Sequence, residues 1–156
     1  MKRTYAPVAA LLLAAALPQF AAAATTRGTT DEAKAMLAKA ISHYKADGRK
    51  DALEDFNSGK PPFRDRDLYV VCVTSDHKIA ANGAFPQYVG TSADKLVDAK
   101  GNPLGKSFWD AANKNPQGSV NYPMINPATG KLEDKTLFYA KLADDLLCGV
   151  GAYSGQ

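Results

Sequence analysis

Two apolar runs, LYVVCVTS (68–75) and LLCGVGAY (146–153), hold the only two cysteines of the chain, Cys72 and Cys148. This constrains the fold more than any other feature of the sequence. Both runs read as strands, and the first, bounded by charged and turn residues, is expected at the centre of a sheet. An even cysteine count in an exported protein favours one disulfide between them. Closing so long a loop would contribute up to ~4 kcal/mol by the chain-entropy model. Two buried thiols are the alternative, because cysteine is also a common small core residue.

Export is read from the first residues. Lys2 and Arg3 precede an apolar stretch, APVAALLLAAAL (6–17), and Ala22-Ala23-Ala24 supplies the small-x-small pattern that signal peptidase recognises. Pro18, Gln19 and the abundance of alanine argue against a retained membrane anchor, and no cysteine ends the segment as a lipoprotein would require. Residues 1–24 are therefore expected to be a signal peptide. The remaining 132 of 156 residues, 25–156, make one periplasmic domain with enough length for a real core. Lys2 and Arg3 leave with the leader, so the whole-chain charge of +3 falls to +1. A nearly neutral chain without a Lys/Arg cluster gives no electrostatic case for a nucleic-acid partner.

Periodicity sets the order of elements. Thr29 followed by Glu32 is a capping-box pattern, and Ala33, Met36, Leu37, Ala40, Ile41 and Tyr44 recur at helical spacing until Gly48. A shorter helix runs from Lys50 to Asn57, and Pro61-Pro62 marks a loop. LYVVCVTS and IAANG follow as two strands joined by a turn at SDHK. Residues 84–105 read as loop with a short helix near Ala93–Leu96, and PLGKSFWDAANK is a helix with Pro103 at its start. GSVNYPMI, DKTLFYAKL and LLCGVGAY then form an antiparallel meander, with a hairpin corner at NPATGK. The fold class is α+β: a long N-terminal helix packed on a central antiparallel sheet of about five strands.

Several chemistries are excluded by spacing. GNPLGKS (101–107) has three residues between its glycines where a phosphate loop needs four. GVGAYSG (149–155) has no helix after it to receive a pyrophosphate, so its glycines read as close strand packing. His43 and His77 lack metal-ligand spacing, and no nucleophile elbow is present, so neither a metal, a cofactor nor an enzyme activity is expected. A binding constellation remains. Lys135, Leu137 and Tyr139 share one strand face, as do Val120, Tyr122 and Met124 on the strand before. Coincident faces would give an apolar pocket with one cation and two phenols, suited to a small carboxylate. The plainer reading is that these aromatics are ordinary strand residues and that Lys135 begins its strand in solvent.

The succession ALEDFNSGKPPFRDRDLYVVCV, SDHKIAANGAFPQYVG, LVDAKGNPLGKSFWDAA, SVNYPMINPATGKLEDKTLFYAKL and DDLLCGVGAY resembles the single Cache domain family over residues 29–153. The resemblance implies a PAS-like extracytoplasmic sensor that binds a small ligand, often a short carboxylate, between its sheet and the overlying loops and helix. It carries a ligand-contact role onto Trp109, Tyr122, Lys135 and Tyr139, with Asn82 and Phe85 as weaker members. Asn82 stands where such sequences often have a histidine. Cache domains usually sit between membrane helices of receptors, whereas here Gln156 follows the last strand directly. The expectation is a free-standing periplasmic member with no membrane anchor after cleavage, acting through a separate membrane signalling protein. The alternative is a ligand-free structural or protein-interaction module of the envelope.

Overall fold

The computed structural model describes residues 27–154, and the expected signal peptide lies outside them. Helix α1, Thr30–Asn57, starts with the expected capping box: Glu32 N–H donates to the Thr29 side chain at 3.2 Å, and the Glu32 carboxylate accepts from Thr29 N–H at 2.7 Å. Gly48, at φ 82° and ψ 174°, breaks the helix into the two pieces that the sequence implied. His43 spans the break, with one ring nitrogen 2.7 Å from Asp47 and the other 2.7 Å from Asp55. Ala33, Met36, Leu37 and Ala40 are buried on the first piece, and Ala52 and Phe56 on the second. Among the described residues no helix is long and apolar enough to cross a membrane.

Six strands follow: β1 (Arg64–Asp65), β2 (Leu68–Thr74), β3 (Ile79–Asn82), β4 (Gln117–Ile125), β5 (Leu132–Ala143) and β6 (Leu146–Ser154). Helix α2, Leu104–Lys114, lies between β3 and β4, after single 3-10 turns at Pro86–Tyr88 and Ala93–Lys95. The sheet is antiparallel in the order β1-β2-β6-β5-β4, with β3 also paired to β2. The α+β layout therefore stands, with β1 as the strand that sequence pattern passed over. Its two charged residues carry no hydrophobic alternation, and only main-chain pairing to Tyr69 and Leu68 makes it a strand.

Side-chain alternation divides the core in two. Leu68, Val70 and Cys72 of β2 and Leu146, Cys148, Val150 and Ala152 of β6 face α1. On the opposite face Val73, Leu137 and Leu147 meet Leu104, Phe108, Trp109 and Ala112 of α2. Strand β6 lies between β2 and β5 and is buried from Leu146 to Tyr153. Cys72 and Cys148 are directly opposed in the β2–β6 ladder and form a disulfide inside the α1-side core.

The lead-in to α1 is fixed to the sheet at two points. Gly28 lies so close to β2 that a Cβ there would fall 2.2 Å from Leu68 Cγ. Its N–H donates to Asp67 Oδ1 at 2.6 Å. Arg27 pairs with Glu133 at 2.7 Å, and Glu133 also accepts from Thr129 and Asn126 in the β4–β5 corner.

The disulfide closes a separation of 76 residues. Replacing both cysteines by alanine is expected to lower unfolding free energy by ~4 kcal/mol at most, read from the urea midpoint. Non-reduced protein should show no alkylatable thiol in its mass spectrum, and two modified cysteines would overturn the bridge.

Candidate functional site

A cavity of about 470 Å³ opens between the α2-side face of the sheet and the chain from Asn82 to Leu104. Its floor comes from alternate strand residues: Tyr69, Val71 and Val73 of β2, Tyr122 and Met124 of β4, Lys135 of β5 and Tyr153 of β6. The roof is Asn82, Phe85 and Tyr88, with Leu96, Leu104 and Phe108 behind. Arg64, Arg66, Asp67, Ile125 and Pro127 complete the wall. The volume is that of a small-molecule site, and the walls are mostly apolar with a few polar groups.

Lys135 stands out because it is only 6% exposed. Strand register places it opposite Tyr122 on β4 and Tyr153 on β6. Gly151, two residues before Tyr153, leaves space for it, since a Cβ there would lie 2.7 Å from Lys135 Cε and the side chain would have to shift. The methylene stem crosses that bare backbone. The ammonium then sits 4.5 Å from the Tyr153 ring centre and 5.1 Å from that of Tyr69. Such ring faces attract a desolvated cation. Burial lowers the Lys135 pKa, while Tyr153 and the charge of Asp67 act to raise it. Burial pushes Tyr69 up to about 12 and raises Tyr122 as well, so both phenols keep their protons at neutral pH.

Asp67 precedes Tyr69 by two residues. Its Oδ1 is taken by Gly28 N–H, while Oδ2 is buried and meets no donor among the described residues. Arg66 beside it is engaged by Glu32 at 2.7 Å and by Asp65 at 2.6 Å. Tyr153 donates its hydroxyl to the Ile125 carbonyl at 3.3 Å, and the Tyr122 ring lies 5.4 Å from Phe108.

Four of the six expected contact residues line this cavity: Tyr122, Lys135, Asn82 and Phe85. The expectation that the faces of β4 and β5 coincide is met by the pairing of Tyr122 with Lys135 and of Val120 with Leu137. Asn82 is committed to shaping the roof: its side-chain oxygen accepts from Ala84 N–H at 3.2 Å and Phe85 N–H at 2.9 Å. Phe85 stands edge-on to Tyr69 at 5.9 Å and is 37% exposed.

Trp109 and Tyr139 are placed elsewhere. Trp109 is buried in the α2-side core with the Lys141 ammonium 5.0 Å from its ring. Tyr139 donates to the Asn115 carbonyl at 3.3 Å. Period-two spacing put Tyr139 on the correct face, but α2 packs over that end of the strand and leaves only the Lys135 end open. Sequence pattern missed Tyr69, Tyr153 and Asp67. The two tyrosines alternate with α1-facing residues, and the glycine two positions before Tyr153 was a usable signal. Pro127 of the hairpin corner also reaches the wall, where only turn chemistry had been expected.

The family model described as single Cache domain 2 matches residues 19–155. Among curated proteins no relative matches. A solved methyl-accepting chemotaxis protein from Vibrio parahaemolyticus RIMD 2210633 superposes with TM-score 0.63 at 20% identity, covering 79% of this chain and 86% of that one. A structure described as the basis for carboxylic acid recognition by a Cache chemosensory domain gives TM-score 0.57 at 15% identity, covering 80% and 88%. A periplasmic sensor domain of a chemotaxis protein gives 0.56 at 16% identity, covering 80% and 90%. At these identities the three structures share the fold with this chain.

The burial of Lys135 has a measurable sign. A lysine whose folded pKa is lowered is protonated at a cost in the native state. Its contribution to stability therefore rises as pH climbs from the lowered value to the ordinary 10.5. An NMR titration of the Lys135 side chain should show deprotonation below 10.5. Gly151→Ala, by displacing the stem, should bring the titration back toward the ordinary value. Titration of Lys135 at the ordinary value in the unsubstituted protein would contradict the buried placement.

Proposed function

The chain belongs to the single Cache domain 2 family, and from that premise we propose that it is a periplasmic sensory domain. In this reading it binds a small carboxylate-type ligand around Lys135 and acts through a separate partner. The observation that carries the reading is the Lys135 ammonium, buried in the floor of a largely apolar cavity with no carboxylate paired to it among the described residues. A buried cation that makes no ion pair is costly, and an anionic ligand supplies that partner. The neutral phenols of Tyr69 and Tyr122 offer donors around a bound carboxylate, and Phe85 and Tyr88 cover its apolar part. Trp109 and Tyr139 act as packing behind the site. The structure described for carboxylic acid recognition supports the ligand class by analogy of fold.

A route from ligand to partner starts at the roof. Asn57, the last residue of α1, donates to the Ala80 carbonyl at 3.2 Å and accepts from Asn82 N–H at 2.8 Å. Asn82 in turn holds the loop that carries Phe85. A ligand that draws Phe85 inward thus acts on the end of the long helix, whose two pieces meet at Gly48.

A thermal-shift screen of the protein against small organic acids, amino acids and amines tests the reading. A ligand at a hundredfold excess over its dissociation constant adds ~2.7 kcal/mol of stability, a clear rise in Tm. Organic acids are expected to give it and amines are not. Lys135→Met should abolish the shift and leave the ligand-free Tm equal or higher, because it removes a desolvated charge. An undiminished shift in that variant would remove Lys135 from the site. Silence across the panel would favour the protein-interaction alternative.

A further inference from the structure

We propose that the ligand of this cavity carries a hydrogen-bond donor, an ammonium or a hydroxyl, beside its carboxylate, and that Asp67 Oδ2 accepts from that donor while Lys135 takes the carboxylate. This rests on the carboxylate reading above and narrows it from plain acids to amino or hydroxy acids.

The inference starts from the two oxygens of Asp67. Native interiors leave very few buried polar atoms without a partner, and an orphan on an ionisable side chain calls for an explanation. Oδ1 is used at 2.6 Å by Gly28 N–H, which holds the carboxylate in place. Gly28 cannot shift toward β2, because it already lies against Leu68. Oδ2 is left buried and without a donor among the described residues. The nearest strong donor in sequence, the Arg66 guanidinium, is engaged by Glu32 and Asp65. The side chain of Arg64 reaches the Gly83 carbonyl at 3.4 Å.

Asp67 and Lys135 line the same cavity. They do not pair with each other: the Lys135 ammonium lies over the rings of Tyr69 and Tyr153, and Asp67 Oδ2 stays unpartnered. The cavity lining therefore holds a cation and a carboxylate that make no ion pair with each other. A plain carboxylate bound at Lys135 would meet the field of Asp67 as a repulsion. A donor on the neighbouring carbon turns that repulsion into a charge-assisted hydrogen bond. Sites that hydrogen-bond a ligand N–H or O–H reject the analogue that lacks it, since their own polar group is then left unpaired.

Calorimetric titration of the full mature chain with two matched series tests this. The first is propionate, lactate and alanine; the second is phenylpropionate, phenyllactate and phenylalanine. Within at least one carbon skeleton the donor-bearing acid is expected to bind at least about tenfold more tightly than the plain acid. Whether the hydroxy or the amino member leads identifies the donor. Asp67→Asn keeps an oxygen for Gly28 N–H but removes the charge, and should shrink that ratio to below about threefold. A plain acid that binds as well as both substituted acids in both series would overturn the inference and leave the carboxylate reading standing. A ratio preserved in Asp67→Asn would overturn the role of Asp67. No binding by any of the six at millimolar concentration would overturn the carboxylate reading and this inference with it. If Asp67→Asn fails to fold, the ranking in the unsubstituted protein decides alone.

Discussion

Strand β6 runs between β2 and β5 with both faces covered, and the other elements take their places from it. Its α1-facing residues, Leu146, Cys148, Val150 and Ala152, are fully or nearly fully buried, and Cys148 ties it covalently to β2. Its other face needs two different textures. Leu147 packs under α2, whereas Gly151 stays bare so that a lysine from the next strand can lie across it. One strand thus supports the helix core on one side and shapes the ligand cavity on the other. Any side chain at position 151 would compete with Lys135 for the same space.

The electrostatics of the cavity follow from that geometry. A lysine in an apolar interior is unfavourable unless something offsets its lost hydration. Here two tyrosine faces do part of that, and the field of Asp67 adds to it. Neither makes an ion pair. The ammonium therefore keeps a capacity for an incoming anion that a salt-bridged lysine would lack. Surface pairs such as Lys106 with Asp110 or Lys78 with Asp76 contribute little by comparison, because solvent screens them.

Cavity and long helix are joined at both ends of α1. At its start, Gly28 is held by the carboxylate of Asp67, a residue of the cavity wall whose other oxygen is buried without a donor among the described residues. At its finish, Asn57 holds Ala80 and Asn82, and Asn82 holds the roof loop. The break at Gly48 lies between these anchors, bridged by His43. A change in the cavity thus has hydrogen-bonded contacts to the helix at each end.

Sequence by itself determined the elements and their faces. The capping box at Thr29, the break at Gly48, the two cysteine strands and the β4-β5-β6 meander could be read locally, because helix caps, glycine stops and hydrophobic period are properties of neighbouring residues. Lys135 and Tyr122 were legible for the same reason, since period two assigns each to a face. Tertiary structure decided how far along that face the cavity extends. Helix α2, Trp109 included, packs over the Tyr139 end of β5 and leaves the Lys135 end to the cavity, and no spacing rule within a strand records where a helix from elsewhere in the chain will lie. It also decided that Asp67, Tyr69 and Tyr153 meet around Lys135. They come from a turn and from β2 and β6, whose places beside β5 are set by the long-range β2–β6 and β6–β5 registers, and register emerges only when the whole sheet closes. β1 escaped notice for a related reason: its bonds are main-chain bonds to β2, and main-chain pairing leaves no mark on the side chains of Arg64 and Asp65.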